Sequence, residues 1–267
     1  MSRWGSSPFS FPAFRGVTRG LILLNVAAYF LLLLSSLAGV GLAQALALVP
    51  PVFLHGAPWQ LLTYSFVHVG ISGTMLELLS LWFLLGFLEQ FHKPGWVLGV
   101  YASAVIGAAL SAVVIFVLAN EMGYEGALIP LYGCFGGIFG LLTAIGVLHG
   151  DVEFLLFFTI GIKARVLAII YALVALAMLF GQQRIYAVGE LGGAVAAILF
   201  IWFAPQRGLG AWASERWFGL ANSYYRWKRR RAGRKFEVYM RQQGKTVHLD
   251  GYGKRIEDDP NDKKRWN

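Results

Sequence analysis

The chain is poor in the residues that staple or solvate an ordinary soluble domain. One of its 267 residues is cysteine. That lone thiol, Cys134, excludes an internal disulfide and a cysteine-based zinc site of the usual kind. Charge is scarce as well. Asp, Glu, Lys and Arg make up 14% of the chain, against about 25% in a typical soluble domain. Most of that charge lies at the ends. Residues 1–19 hold three arginines (Arg3, Arg15, Arg19) and no acid, and residues 206–267 hold sixteen basic residues and seven acids. Residues 20–205 hold only four basic residues and seven acids. So few charges cannot cover a water-facing surface of that size. With 57% of the chain hydrophobic, a bilayer is the natural solvent for this middle region.

Six stretches approach the roughly 20 apolar residues that a helical span needs. They are residues 20–38, 72–88, 96–118, 131–148, 164–180 and 186–203. The stretch 41–69 is also apolar, but Pro50, Pro51, His55, Gly56 and Pro58 interrupt it. It reads as a long membrane-associated loop. Ala43, Gln44 and Ala45 imitate a signal-peptide cleavage site, but the apolar run before them is too long for a signal and five more spans follow. With six spans, Arg3, Arg15, Arg19, Lys93, Lys163, Arg165 and the whole tail fall on one side, and Arg184 alone on the other. The positive-inside rule makes the basic side cytoplasmic. The expected organisation is therefore a basic cytoplasmic N-terminus (1–19), a six-span membrane domain (20–205) and a cytoplasmic tail (206–267).

The tail mixes Trp212, Trp217, Phe218, Tyr224, Tyr225 and Trp227 with basic residues, a composition that suits the headgroup region. Lys228, Arg229, Arg230, Arg231, Arg234 and Lys235 then form a polybasic run. It is a candidate site for anionic lipid, or a topology anchor. No folded recognition motif surrounds it, so nucleic acid is the weaker partner. From Gly244 onward the tail is polar and reads as disordered.

Two acids fall inside spans. Glu77 and Glu190 each lie about one turn from the non-cytoplasmic end of their helix, at similar depth. Intramembrane charge is the first place to look for function. The pair is a candidate polar site, or two hydrogen-bonded acids that hold helices together. Gly133/Gly137, Gly136/Gly140 and Gly193/Ala197 have the small-xxx-small spacing that lets helices approach closely. They predict contact between spans four and six. No cofactor motif and no metal-ligand spacing is present.

These pieces, taken in order, resemble the rhomboid superfamily of intramembrane serine proteases. The run 58–68 resembles the family's loop-one motif at Trp59, Gln60 and His68. Trp82, Gly86 and Glu89 resemble its second-span motif. Gly133, Phe135, Gly136, Gly137, Ile138, Phe139 and Gly140 resemble its Gly-x-Ser-Gly element and the continuation of it. Lys163 and Ala164 resemble the start of span five, and Glu190, Leu191, Gly192, Gly193 and Ala194 resemble the His-Leu-Gly-Gly-Ala of span six. The resemblance implies an all-α polytopic membrane protein, a six-helix bundle with both termini inside, expected in a bacterial inner (plasma) membrane.

The positions that the resemblance assigns to chemistry are replaced. Phe135 stands where the family has its serine and Glu190 where it has its histidine. Gly73 and Glu77 stand at the oxyanion-supporting positions, and Gln60 replaces the loop arginine. Acyl transfer needs a nucleophile with a removable proton, a base in reach and donors for the oxyanion. Phe135 offers no such proton, and an ionised Glu77 would repel the oxyanion. Cys134 adjoins the serine position, but on a helix it would point about 100° away, and no histidine is predicted beside it. The expectation is a pseudoprotease that binds transmembrane helices of other membrane proteins. Two alternatives remain: an endopeptidase acting through unorthodox residues such as Cys134 or a Glu77–Glu190 pair, and a carboxylate-based proton or cation site.

Overall fold

The computed structural model describes residues 12–122, 130–156, 160–181 and 184–204, with Asn222, Tyr224, Tyr225, Trp227, Lys228, Arg231, Tyr239, Gln242 and Gln243. It divides into two units, Met1–Leu209 and Gly210–Asn267.

In the first unit every apolar stretch has become a helix. Helix α1 spans Gly16–Leu37. The short helices α2 (Leu42–Leu46), α3 (Pro50–Leu54) and α4 (Gln60–Thr63) and a 3₁₀ turn at Tyr64–Phe66 follow. Helix α5 spans Ile71–Leu88, α6 Pro94–Glu121, α7 Phe135–Leu148, α8 Ala164–Met178 and α9 Arg184–Phe203. Helices α1, α5, α6 and α9 are long and apolar enough to cross a membrane. Helices α7 and α8 are equally apolar but have 14 and 15 residues. The stretch 41–69 adds no further span. Pro50 and Pro51 open α3, where a missing N–H costs nothing.

Among the described residues, one hairpin of two strands is not helical. Strands β1 (Glu153–Leu156) and β2 (Ile160–Lys163) pair antiparallel between α7 and α8, with Glu153 opposite Lys163. The all-α fold class stands, with this short hairpin as a local addition to it. A run of four residues shows no period that would set a strand apart from a loop. The strand exists because a partner of the same length returns beside it.

Helix α6 is the centre of the bundle, and small residues set its contacts. A side chain at Gly140 of α7 would strike Ala104 of α6 and approach Ala197 of α9. One at Gly107 of α6 would strike Ala196, and one at Gly192 of α9 would strike Ser111. Ser111 Oγ donates across the interface to the Val188 carbonyl at 3.0 Å. Between apolar helices in lipid, such close approach and such hydrogen bonds are what hold the bundle. Leu81, Leu85, Val97, Val100, Leu141 and Ile145 complete the buried core. Helices α1 and α8 lie at its edge and bury few residues.

The loops define two ends. At one, the Glu89 carboxylate after α5 accepts from the Val17 N–H (2.6 Å) and the Thr18 hydroxyl (2.9 Å), filling orphan donors at the start of α1. There, His92 and His149 also meet, Nε2 to Nε2 at 3.2 Å. At the other end, Leu48 and Leu131 form an antiparallel bridge that ties loop one to the chain entering α7.

In the second unit Tyr224 stacks on Trp227, and the Arg231 guanidinium lies 5.3 Å from the Trp227 ring centre. Lys228 and Arg231 are exposed. Arg229, Arg230, Arg234 and Lys235, with Trp212, Trp217, Phe218 and everything from Gly244 on, lie outside the described residues. So do Arg3 and the rest of residues 1–11.

Candidate functional site

The site forms where loop one, α1, α5 and the entry to α7 meet. Loop one is stapled first. Gln60, fully buried, accepts the Val49 N–H at 3.1 Å and donates to the Ala45 carbonyl at 3.3 Å. Trp59 Nε1 donates to the same carbonyl at 3.1 Å. This neutral amide thus has a structural task in holding loop one together. Tyr64 donates to the Val105 carbonyl at 2.8 Å. Burial, and then Cys134 beside it, push its phenol well up, so it remains a donor.

Glu77 sits one face of α5 inward from this loop, and its Oε2 is crowded with donors. The Cys134 N–H lies at 3.0 Å, the Cys134 thiol at 3.4 Å and His68 Nδ1 at 3.1 Å. His68 Nε2 faces Asn25 Oδ1 of α1 at 2.9 Å, and Asn25 Nδ2 donates to the Leu21 carbonyl at 2.8 Å. These directions leave little freedom. Asn25 Oδ1 can only accept, so in this hydrogen bond His68 Nε2 is the donor. Asn25, His68, Glu77 and Cys134 are all buried. This is a closed polar network of the kind that low dielectric makes strong when complete.

The turn before α7 is what brings Cys134 to Glu77. Gly133 has φ +86°, a left-handed conformation that glycine adopts freely, and its N–H points at the Tyr64 and Val67 carbonyls. A Cβ there would fall 2.9 Å from Glu77 Oε2. Gly133 is therefore a turn residue and no part of a helix-packing stripe. Gly137, its supposed partner, faces Tyr101 and Val105 of α6. A side chain at Gly136 would strike Ala108 of α6, and one at Gly140 would strike Ala104 of α6 and approach Gly193 and Ala197 of α9. A side chain at Gly193 would strike the Gly136 carbonyl.

Cys134 is the N-cap of α7, not a residue within it. The helical 100° argument for its direction therefore does not apply, and its thiol faces Glu77. His68 touches the same carboxylate oxygen, so a histidine does stand near Cys134. Phe135 opens α7 and is 41% exposed. Gly73, one turn before Glu77, has nothing within 4 Å of where a Cβ would stand.

Glu190 is elsewhere. It lies in α9, partly buried, and makes no hydrogen bond or ion pair among the described residues. No contact joins it to Glu77, whose partners are His68 and Cys134. His55 is exposed in loop one and faces the Pro51 carbonyl at 2.7 Å. Among the described residues, no three of His, Cys, Asp and Glu are grouped as metal ligands.

Chemically, the corner resembles an anion site that is already full. The N-terminus of a helix offers free N–H groups and a positive dipole end. Here the chain's own Glu77 carboxylate occupies that place. Sequence reasoning missed Asn25 altogether. Its signal was a lone amide in an otherwise apolar span, which is costly unless paired.

Residues 55–207, more than half of the chain, match the family model described as the Rhomboid domain. No curated protein matches the chain.

Proposed function

The chain belongs to the rhomboid family as an integral membrane protein, and from that premise we propose that it is a non-catalytic member that binds transmembrane helices of other membrane proteins. The carrying observation is the Glu77 carboxylate on the Cys134 N–H at 3.0 Å, beside an exposed Phe135 at the serine position. A developing oxyanion needs free, preorganised donors. The Cys134 N–H before α7 is already taken by the Glu77 carboxyl group. The side chain at the serine position has no proton to give up, and loss of a nucleophile alone costs on the order of 10⁶ in rate in a serine protease. What remains of the scaffold is a close-packed bundle with an apolar residue displayed at the mouth of α7. In this reading both termini face the cytoplasm of a bacterial inner membrane, and the polybasic run 228–235 meets anionic lipid.

A second reading has its own observation. Cys134, Glu77 and His68 converge on one oxygen, so a thiol, a carboxylate and an imidazole stand together. A thiol endopeptidase would use Glu77 or His68 as base. Two facts weigh against it. Cys134 is fully buried, and Glu77 Oε2 already accepts up to three hydrogens, which weakens it as a base.

The test is cleavage of reporter transmembrane helices by the full chain in liposomes, beside an active rhomboid and the Cys134→Ala, Glu77→Gln and Glu190→Gln variants. The expected result is no cleavage by the chain while the control works. Cleavage by the wild type that Cys134→Ala abolishes would overturn the non-catalytic reading and establish the thiol site.

A further inference from the structure

On the reading that this chain binds client helices, we infer that Glu190 recognises them by pairing with a basic side chain near the loop-one end of the client span. Glu190 stands six residues into α9, about 9 Å along the axis from its start. A carboxyl group at that depth, without a donor, pays desolvation that nothing returns. Glu77, also in a span, has His68 Nδ1, the Cys134 N–H and the Cys134 thiol at one oxygen. Glu190 has none among the described residues. The nearby cation of its own helix, Arg184, turns its Nε to the Gly181 carbonyl at 3.0 Å.

Glu190 is partly buried and not a core position. Tyr186, Glu190, Gly193 and Ala197 form one stripe of α9 at helical spacing. Tyr186 packs on Tyr132 and donates to the Pro130 carbonyl at 3.2 Å. Gly193 meets Gly136, and Ala197 meets Gly140. Glu190 therefore lies between two points where α9 is fastened to the chain around the start of α7, and it alone in the stripe is unfastened. The exposed Phe135 begins that same helix. An acid with no partner on this seam fits a helix that presents an aliphatic surface and one cation. Lys and Arg reach such depths by snorkelling along their own methylenes.

The experiment measures binding of single-span leucine–alanine peptides to the full chain in liposomes by energy transfer. The peptides carry Arg, Gln or Leu about two turns from the loop-one end. The wild type is expected to bind the Arg peptide at least about tenfold more tightly than the Leu peptide. In Glu190→Gln that preference falls below about twofold, and an ionised-carboxylate infrared band that the Arg peptide induces in the wild type disappears. Retention of the preference in Glu190→Gln overturns the inference. Equal binding of all three peptides by the wild type overturns it too, while leaving client binding standing. If no peptide binds, both readings fall. The peptide series on the wild type answers the question even if the variant folds poorly.

Discussion

Two glutamates inside one bundle have opposite surroundings. Glu77 is enclosed by His68, Cys134 and the turn at Gly133, with Asn25 behind. Glu190 stands partly open in α9 with no partner among the described residues. The first is a strut that joins α1, loop one, α5 and α7. The second is a group whose interaction energy is unspent. A charged residue in a span can thus be structural or available, and the donors around it decide which.

The largest effect should come from opening the strut. Glu77→Ala leaves a buried imidazole and a buried N–H without their acceptor. Breaking one side of such a pair costs about 3 kcal/mol or more. A thermal unfolding series in detergent should therefore rank Glu77→Ala far below wild type and Glu190→Ala close to it. Equal losses would erase the contrast.

Next in size is the seam that carries Glu190. Gly193→Val places a branched side chain against the Gly136 carbonyl, where overpacking costs about 2 kcal/mol. It should lower the unfolding temperature and reduce client binding together. Gly73→Val, built into open space one turn from Glu77, should do neither.

A smaller effect lies at the opposite end. Glu89→Ala removes the acceptor that caps α1 and should cost about 1 kcal/mol. Hydrogen exchange in the first turn of α1 should rise while the Glu77 network stays protected.

The smallest concerns pH. Burial holds the His92 imidazole below its usual range, and the neighbouring His149 lowers it further; burial also lowers His149. Both are bases held neutral by the fold. The unfolded chain then binds more protons below about pH 6.5, so stability from this pair is present above that pH and is lost as pH falls. His92→Gln should flatten the acid limb of an unfolding-temperature profile. An unchanged limb would mean that the Nε2–Nε2 contact carries no proton linkage.

Much of the fold was legible from hydropathy. The six helices stand where the apolar stretches predicted them, and interruption by prolines kept 41–69 from being a span. The β-hairpin was not legible, since a four-residue strand depends on its partner. In the site, Glu77 and Glu190 stood out as acids in lipid, yet their depth suggested a shared site that the contacts do not make. Gly133 and Cys134 were read on a helical wheel, but the helix begins after them. His68 and Asn25, separated by 43 residues, could be joined only once loop one folded back onto α1.

Sequence alone determined what is additive along the chain. Apolar length sets which segments enter a bilayer, and the scarcity of charge between residues 20 and 205 marks the region they come from. The tertiary structure decided what depends on donors arriving from elsewhere. Whether a buried acid is satisfied is settled by three or four groups from distant segments, brought within hydrogen-bond reach by one left-handed turn, and no local pattern records that meeting.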